Sequence, residues 1–131
     1  MLTCLLKAKI HRACVTEVEP DYEGSCGIDA DLIECAGLHA FEQIDVYNVA
    51  NGERLTTYVI AAPRGSGEIS LNGAAAHRAD VGDRVILCAY GYFCADEIAG
   101  HDPVVVHVAD GNRVRSVARP QRTTGRVADT G

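Results

Sequence analysis

EQIDVYNVANGERLTTYVIAA, residues 42–62, is the plainest structural signal in the chain. Two runs rich in β-branched and aromatic residues flank Asn51-Gly52, the dipeptide favoured in a two-residue type I′ turn, which predicts a hairpin. Upstream, KAKIHRACVTEV (7–18) partly alternates in polarity and predicts a strand from Leu5 to Val18, bent near Arg12. IDADLIECAGL (28–38) reads as a short helix, with Asp29 as N-cap, Asp31 and Glu34 early in it, and Gly37 ending it.

Downstream, PRGSG (63–67) is a turn ahead of a short strand, EISL (68–71). NGAAAH (72–77) predicts a tight turn opening one helical turn, because Gly73 frees the backbone. ADVGDRVILCAYGYF (79–93) reads as a turn and an apolar strand, and VVVHVADGNRVRSV (104–117) as a hairpin around Asp110-Gly111. From Ala118 the apolar content falls, so a single domain over 1–117 with a disordered tail, 118–131, is expected. Many short strands with one or two short helices predict a mainly β small barrel.

At 131 residues the chain suits one domain. Its net charge of −6, with no basic run, argues against a nucleic-acid partner. No stretch approaches the apolar length of a membrane span, and MLTCLLKAKIHR meets Lys7 and Lys9 too early for a signal-peptide core. A cytoplasmic protein with no membrane partner is expected. The cysteines at 4, 14, 26, 35, 88 and 94 form no C-x-x-C pair, which predicts reduced, mostly buried thiols and no zinc site. The histidines at 11, 39, 77, 101 and 107 lack the close pairing of a helix-borne metal site.

No P-loop, G-x-G-x-x-G, H-E-x-x-H or G-x-S-x-G occurs. One feature stands apart: PDYEGSCGID (20–29) puts Gly24-Ser25 between a strand and a helix start. Alone it reads as a turn, and so does Gly65-Ser66 in PRGSG, which composition does not distinguish from it. The sharper alternative is a peptide bond made to be broken.

Four blocks in order, KIHRACVT (9–16), YEGSCGID (22–29), NGERLTTYVIAAPRGSG (51–67) and LNGAAAHRADVGD (71–83), resemble the pyruvoyl-dependent aspartate 1-decarboxylases. The resemblance runs from the N-terminus to about Leu87 and fades beyond Ala89. It implies a six-stranded double-psi β-barrel, a homotetramer with sites between subunits, and conversion of L-aspartate to β-alanine for pantothenate and coenzyme A synthesis. It also implies self-cleavage between Gly24 and Ser25 into a 1–24 β chain and a 25–131 α chain, either autonomously or with a maturation factor.

The chemistry explains why such a chain would cut itself. Decarboxylating an amino acid leaves electrons on the α-carbon, and no ordinary side chain accepts them. A carbonyl that forms a Schiff base with the substrate amine can do so, and the resemblance implies that Ser25 is the precursor of such a pyruvoyl group. By resemblance, Thr57 and Asn72 support processing at Gly24 and Ser25, and Tyr58 is the proton donor of turnover. Lys9, Arg54, Thr57, Gly73, Ala74 and Ala75 correspond to substrate-binding positions, while His11 and Tyr22 line the site. Read singly, Lys9 and Arg54 are surface charges, Tyr58 is a core tyrosine with its hydroxyl at the edge, and Asn72-Gly73 is a turn. Two other classes fit a cleaved or uncleaved small barrel: an N-terminal-nucleophile hydrolase using a free Ser25, and a non-enzymatic binding module.

Overall fold

The 42–62 hairpin forms, with a longer turn than expected. In a computed structural model describing residues 1–120, β4 (Gln43–Asn48) pairs antiparallel with β5 (Arg54–Ala62), Val46 opposite Leu55. The connection spans residues 49–53, and of these only Gly52 has positive φ, 77°, so the turn is not type I′. Asparagine side chains set it instead. Buried Asn48 accepts from Ala50 N at 2.9 Å and donates to the Arg78 carbonyl and to Asp83 Oδ2. Asn51 accepts from Glu53 N and donates to the same Arg78 carbonyl, tying the turn to the 78–83 segment.

The strand expected from Leu5 to Val18 bulges where the bend was read and divides just past it, at Val15 and Thr16. β1 (Thr3–Cys14) pairs antiparallel with β7 (Arg84–Phe93), and the register slips between Ile10 and Ala13, where Arg12 has φ 64°. This bulge redirects the chain into β2 (Glu17–Glu19). Together with β3 (Ser25–Asp29), β6 (Ile69–Asn72), β8 (Val104–Ala109) and β9 (Arg113–Ala118) they make one sheet of nine strands among the described residues. The sheet order is β2-β6-β3-β5-β4-β7-β1-β8-β9, with β2–β6, β3–β5 and β1–β8 parallel.

Among the described residues no ladder closes this order, but β1 and β2 are consecutive in the chain, so the end strand β2 is joined covalently through Val15 and Thr16 to β1, third from the other end. Thr16 N donates to the Ile69 carbonyl at 2.8 Å, and Thr16 Oγ1 accepts from Ile69 N at 3.0 Å. The result is mainly β and consistent with a small barrel. Its interior holds Ile10, Ile28, Ile44, Val59, Ile69 and Leu71, none more than 1 % exposed. Each such side chain contributes about 1.5–3 kcal/mol by leaving water.

The helix lies where its caps place it. In α1 (Ala30–Ala36), Asp29 Oδ1 accepts from Asp31 N at 2.8 Å and Gly37 ends the helix at φ 70°, while Leu32 and Ala36 face the core. A second short helix, α2 (Ala95–Ile98), occupies the stretch after β7. β9 reaches Ala118, which is buried opposite Val105, one residue past the expected domain end. Of the expected tail, residues 121–131 lie outside the described residues. All six cysteines are free thiols, but only Cys26 and Cys88 are buried, so the expectation of mostly buried thiols does not hold.

Candidate active site

Ser25 opens β3 and is 4 % exposed, held on both sides. Its Oγ accepts from Asn72 Nδ2 at 3.0 Å and donates to the Glu23 carbonyl at 3.3 Å. The first contact follows from register, since β3 and β6 pair Ser25 with Asn72. Gly24 bends against Gly73, which begins a 3-10 segment (Gly73–Arg78) at φ 67°. A side chain at 73 would collide with the Gly24 backbone, so glycine is needed there for both space and φ.

Beside this bend lies a cleft of about 450 Å³. Gly24, Arg54, Thr57, Tyr58, Ala74 and Ala75 all line it, although β3, β5 and the 3-10 segment are far apart in sequence. Parallel pairing of β3 with β5 brings the serine strand alongside the Thr57-Tyr58 strand. Thr57 forms no hydrogen bond with Ser25 among the described residues; of the two expected processing residues, Asn72 hydrogen-bonds to it. Tyr58 stacks obliquely on exposed Phe41, ring centroids 6.3 Å apart, and its hydroxyl has no hydrogen-bond partner among the described residues.

The cleft's cations differ in availability. Arg78 pairs with Glu53 at 2.8 Å and donates to the Arg54 carbonyl. Arg54 forms no ion pair among the described residues, and its guanidinium carbon lies 4.5 Å from the Tyr47 ring centroid. Tyr47 and Arg78 were not among the residues expected from sequence. The Tyr47 hydroxyl shares a 2.8 Å hydrogen bond with Tyr90, which, with burial, raises the Tyr90 pKa.

Three expected residues lie away from the cleft wall. Lys9 stands in a transverse row with Cys88, Asp45 and Thr56 across β1, β7, β4 and β5. Three strand spacings, about 14 Å, separate it from Thr56. Tyr22 is exposed and contributes its backbone carbonyl to the Gly73 contact. His11 belongs to a separate cavity with Arg12, Arg84, His107 and Arg115. Burial, then Lys9, His107 and Arg12, lower its pKa. Among the described residues, no three His, Cys, Asp or Glu converge as a metal site, and no helix is long and apolar enough to cross a membrane.

The chain as a whole resembles known proteins. A family model described as aspartate decarboxylase covers residues 1–115, so the likeness does not stop near Leu87 but continues through β8 into β9. The chain is 56 % identical over 119 residues to the aspartate 1-decarboxylase of Bordetella pertussis strain Tohama I, covering 91 % of this chain and 98 % of that one. It is 58 % identical over 115 residues to the aspartate 1-decarboxylase of Methylibium petroleiphilum, covering 88 % and 96 %. With the Pseudomonas aeruginosa aspartate 1-decarboxylase the identity is 54 % over 114 residues, covering 87 % and 90 %. The chain belongs to the aspartate decarboxylase family.

Proposed function

We propose that the protein decarboxylates L-aspartate to β-alanine and carbon dioxide, using a pyruvoyl group it makes from Ser25. The single observation that carries this reading is the Asn72–Ser25 hydrogen bond beside a cleft holding an unpaired arginine. The β-alanine would serve pantothenate and coenzyme A synthesis in the cytoplasm, and the working form would be a homotetramer, in which a neighbouring copy could bring Lys9 to the cleft.

Maturation begins when Ser25 Oγ attacks the Gly24 carbonyl carbon. The Gly24–Ser25 C–N bond breaks, leaving an ester on Oγ and a free amine. Loss of the Ser25 α-proton then expels the Gly24 carboxylate, and water replaces the nitrogen, which leaves as ammonia. The sequence is redox-neutral and needs no oxidant. Asn72 Nδ2 holds Oγ in place at 3.0 Å. The Gly24-Gly73 contact fixes the bend that presents the carbonyl.

The residues present fit the group: a buried serine, hydrogen-bonded by Asn72, keeps the carbonyl precursor ordered, and its neighbour Gly24 lines an open cleft that can take substrate. That carbonyl supplies the electron sink for carbon–carbon bond cleavage. Arg54, unpaired among the described residues, binds a substrate carboxylate in bidentate fashion. Tyr58 Oη holds the proton for delivery to the substrate α-carbon.

Intact-mass measurement of the purified protein tests this reading, with aspartate decarboxylation assayed on the same sample. Two chains split after residue 24, the larger with a blocked N-terminus, are expected, and Ser25→Ala stays full-length. A readable free Ser25 amine indicates a hydrolase instead. A single uncleaved species without activity leaves only a binding module.

A further inference from the structure

We propose that Tyr47 is a positioning residue for the decarboxylase reaction: its ring face holds the Arg54 guanidinium toward the cleft and leaves all of its N–H donors free for a substrate carboxylate. This rests on the functional reading above and goes beyond it by assigning a residue that no motif marks.

An arginine in a protein of net charge −6 would ordinarily be claimed by a carboxylate. The nearest candidates are occupied. Glu53, the preceding residue, is engaged by Arg78 at 2.8 Å. Asp45, two positions from Tyr47 on the same strand, accepts from Thr56 Oγ1 at 2.7 Å and from the Tyr47 hydroxyl at 3.4 Å. Arg54 is left on the ring at 4.5 Å, opposite Tyr47 in the β4–β5 register. A cation–π contact attracts the charge without consuming an in-plane N–H, whereas an ion pair would consume them.

The platform is itself held. The Tyr47 hydroxyl meets Tyr90 at 2.8 Å and Asp45, so the ring is fixed at its far end. Arg78 fixes the backbone of Arg54 through its carbonyl at 3.3 Å. The guanidinium is therefore restrained at stem and face, and its fork remains open. Pre-positioning of this kind lowers the ordering cost of binding.

The test varies the electrostatics of the face at constant shape. Tyr47→Phe and its difluoro and trifluoro ring analogues are introduced, and KM and kcat for aspartate are measured beside Ser25 cleavage. Each fluorine withdraws electron density from the face. KM is expected to rise stepwise to about 10-fold for the trifluoro ring, with kcat and cleavage nearly constant. Tyr47→Trp should restore a low KM. A flat KM across the series overturns the role of Tyr47 while leaving the functional reading intact. A parent protein that cleaves at Ser25 but does not decarboxylate aspartate overturns both. If Tyr47→Phe alone produces the whole loss, the hydroxyl contacts act rather than the face, and the proposal fails.

Discussion

A Cβ at position 73 would stand 2.7 Å from both the Cα and the N of Gly24, so Gly73 and Gly24 are packed backbone to backbone. Under the proposed maturation, this contact fixes the bend that would present the Gly24 carbonyl to Ser25. Gly73→Ala must move that bend and also places alanine at φ 67°. It should destabilise the fold by about 1–3 kcal/mol. Cleavage should slow roughly 100-fold, as expected when reacting atoms shift by about an ångström. Time-resolved intact mass and a urea melt measure the two effects separately.

Arg54 offers the cleft a charge that no acidic side chain among the described residues neutralises. Arg54→Ala should raise KM for aspartate roughly 10- to 100-fold, the worth of a charge-assisted hydrogen-bonded contact. Arg54→Lys should fall between, because an ammonium keeps the charge but not the fork. Steady-state kinetics at fixed pH decide this, and equal KM for all three proteins would remove Arg54 from substrate binding.

The Tyr58 hydroxyl carries no structural hydrogen bond among the described residues, so removing it costs the fold little. Tyr58→Phe should lower kcat about 10²- to 10⁴-fold if the phenol delivers the proton. Cleavage at Ser25 and thermal stability should stay near the parent values. An unchanged kcat would transfer the proton donor to another group.

Asp29 joins β3 to α1, and its carboxylate accepts from Asp31 N, Gly65 N and Gly67 N at 2.8, 3.0 and 2.8 Å. Burial by itself would raise its pKa; the three N–H donors and nearby Arg64 outweigh burial and hold it below the ordinary 3.8. A carboxyl depressed on folding stabilises the protein above its unfolded pKa and loses that contribution as pH falls through the folded value. Asp29→Asn should therefore cost about 1–3 kcal/mol at neutral pH, since its amide faces an N–H donor. The difference should shrink as pH falls below about 4. Urea midpoints of both proteins across that range check the sign, and a gap that widens in acid would contradict it.

What the sequence disclosed was local. Asp29 and Gly37 bracket α1 because both caps act within one turn of the backbone. The bend at Arg12 showed because the polarity pattern itself breaks there. The Asn51-Gly52 turn was misjudged because Asn48 is engaged by Arg78 and Asp83, partners distant in sequence. That error had a consequence. A two-residue turn at 51–52 would set Tyr47 opposite Thr56, whereas the actual register sets it opposite Arg54. The shift is by two residues, so every side chain kept its face while its neighbour changed. Ser25, Gly24 and Asn72 were identified through block resemblance, but their contact needs the β3–β6 register, which no single segment encodes.

The join at Val15 and Thr16 bears on what a cut after Gly24 leaves behind. The residue 1–24 piece carries β1, bonded to β7 and β8, and β2, bonded to β6. It thus acts as a hoop gripping the other staves at three places. Severing the backbone there would remove no ladder, so the two polypeptides would stay associated, and separating them would require breaking all three of these ladders.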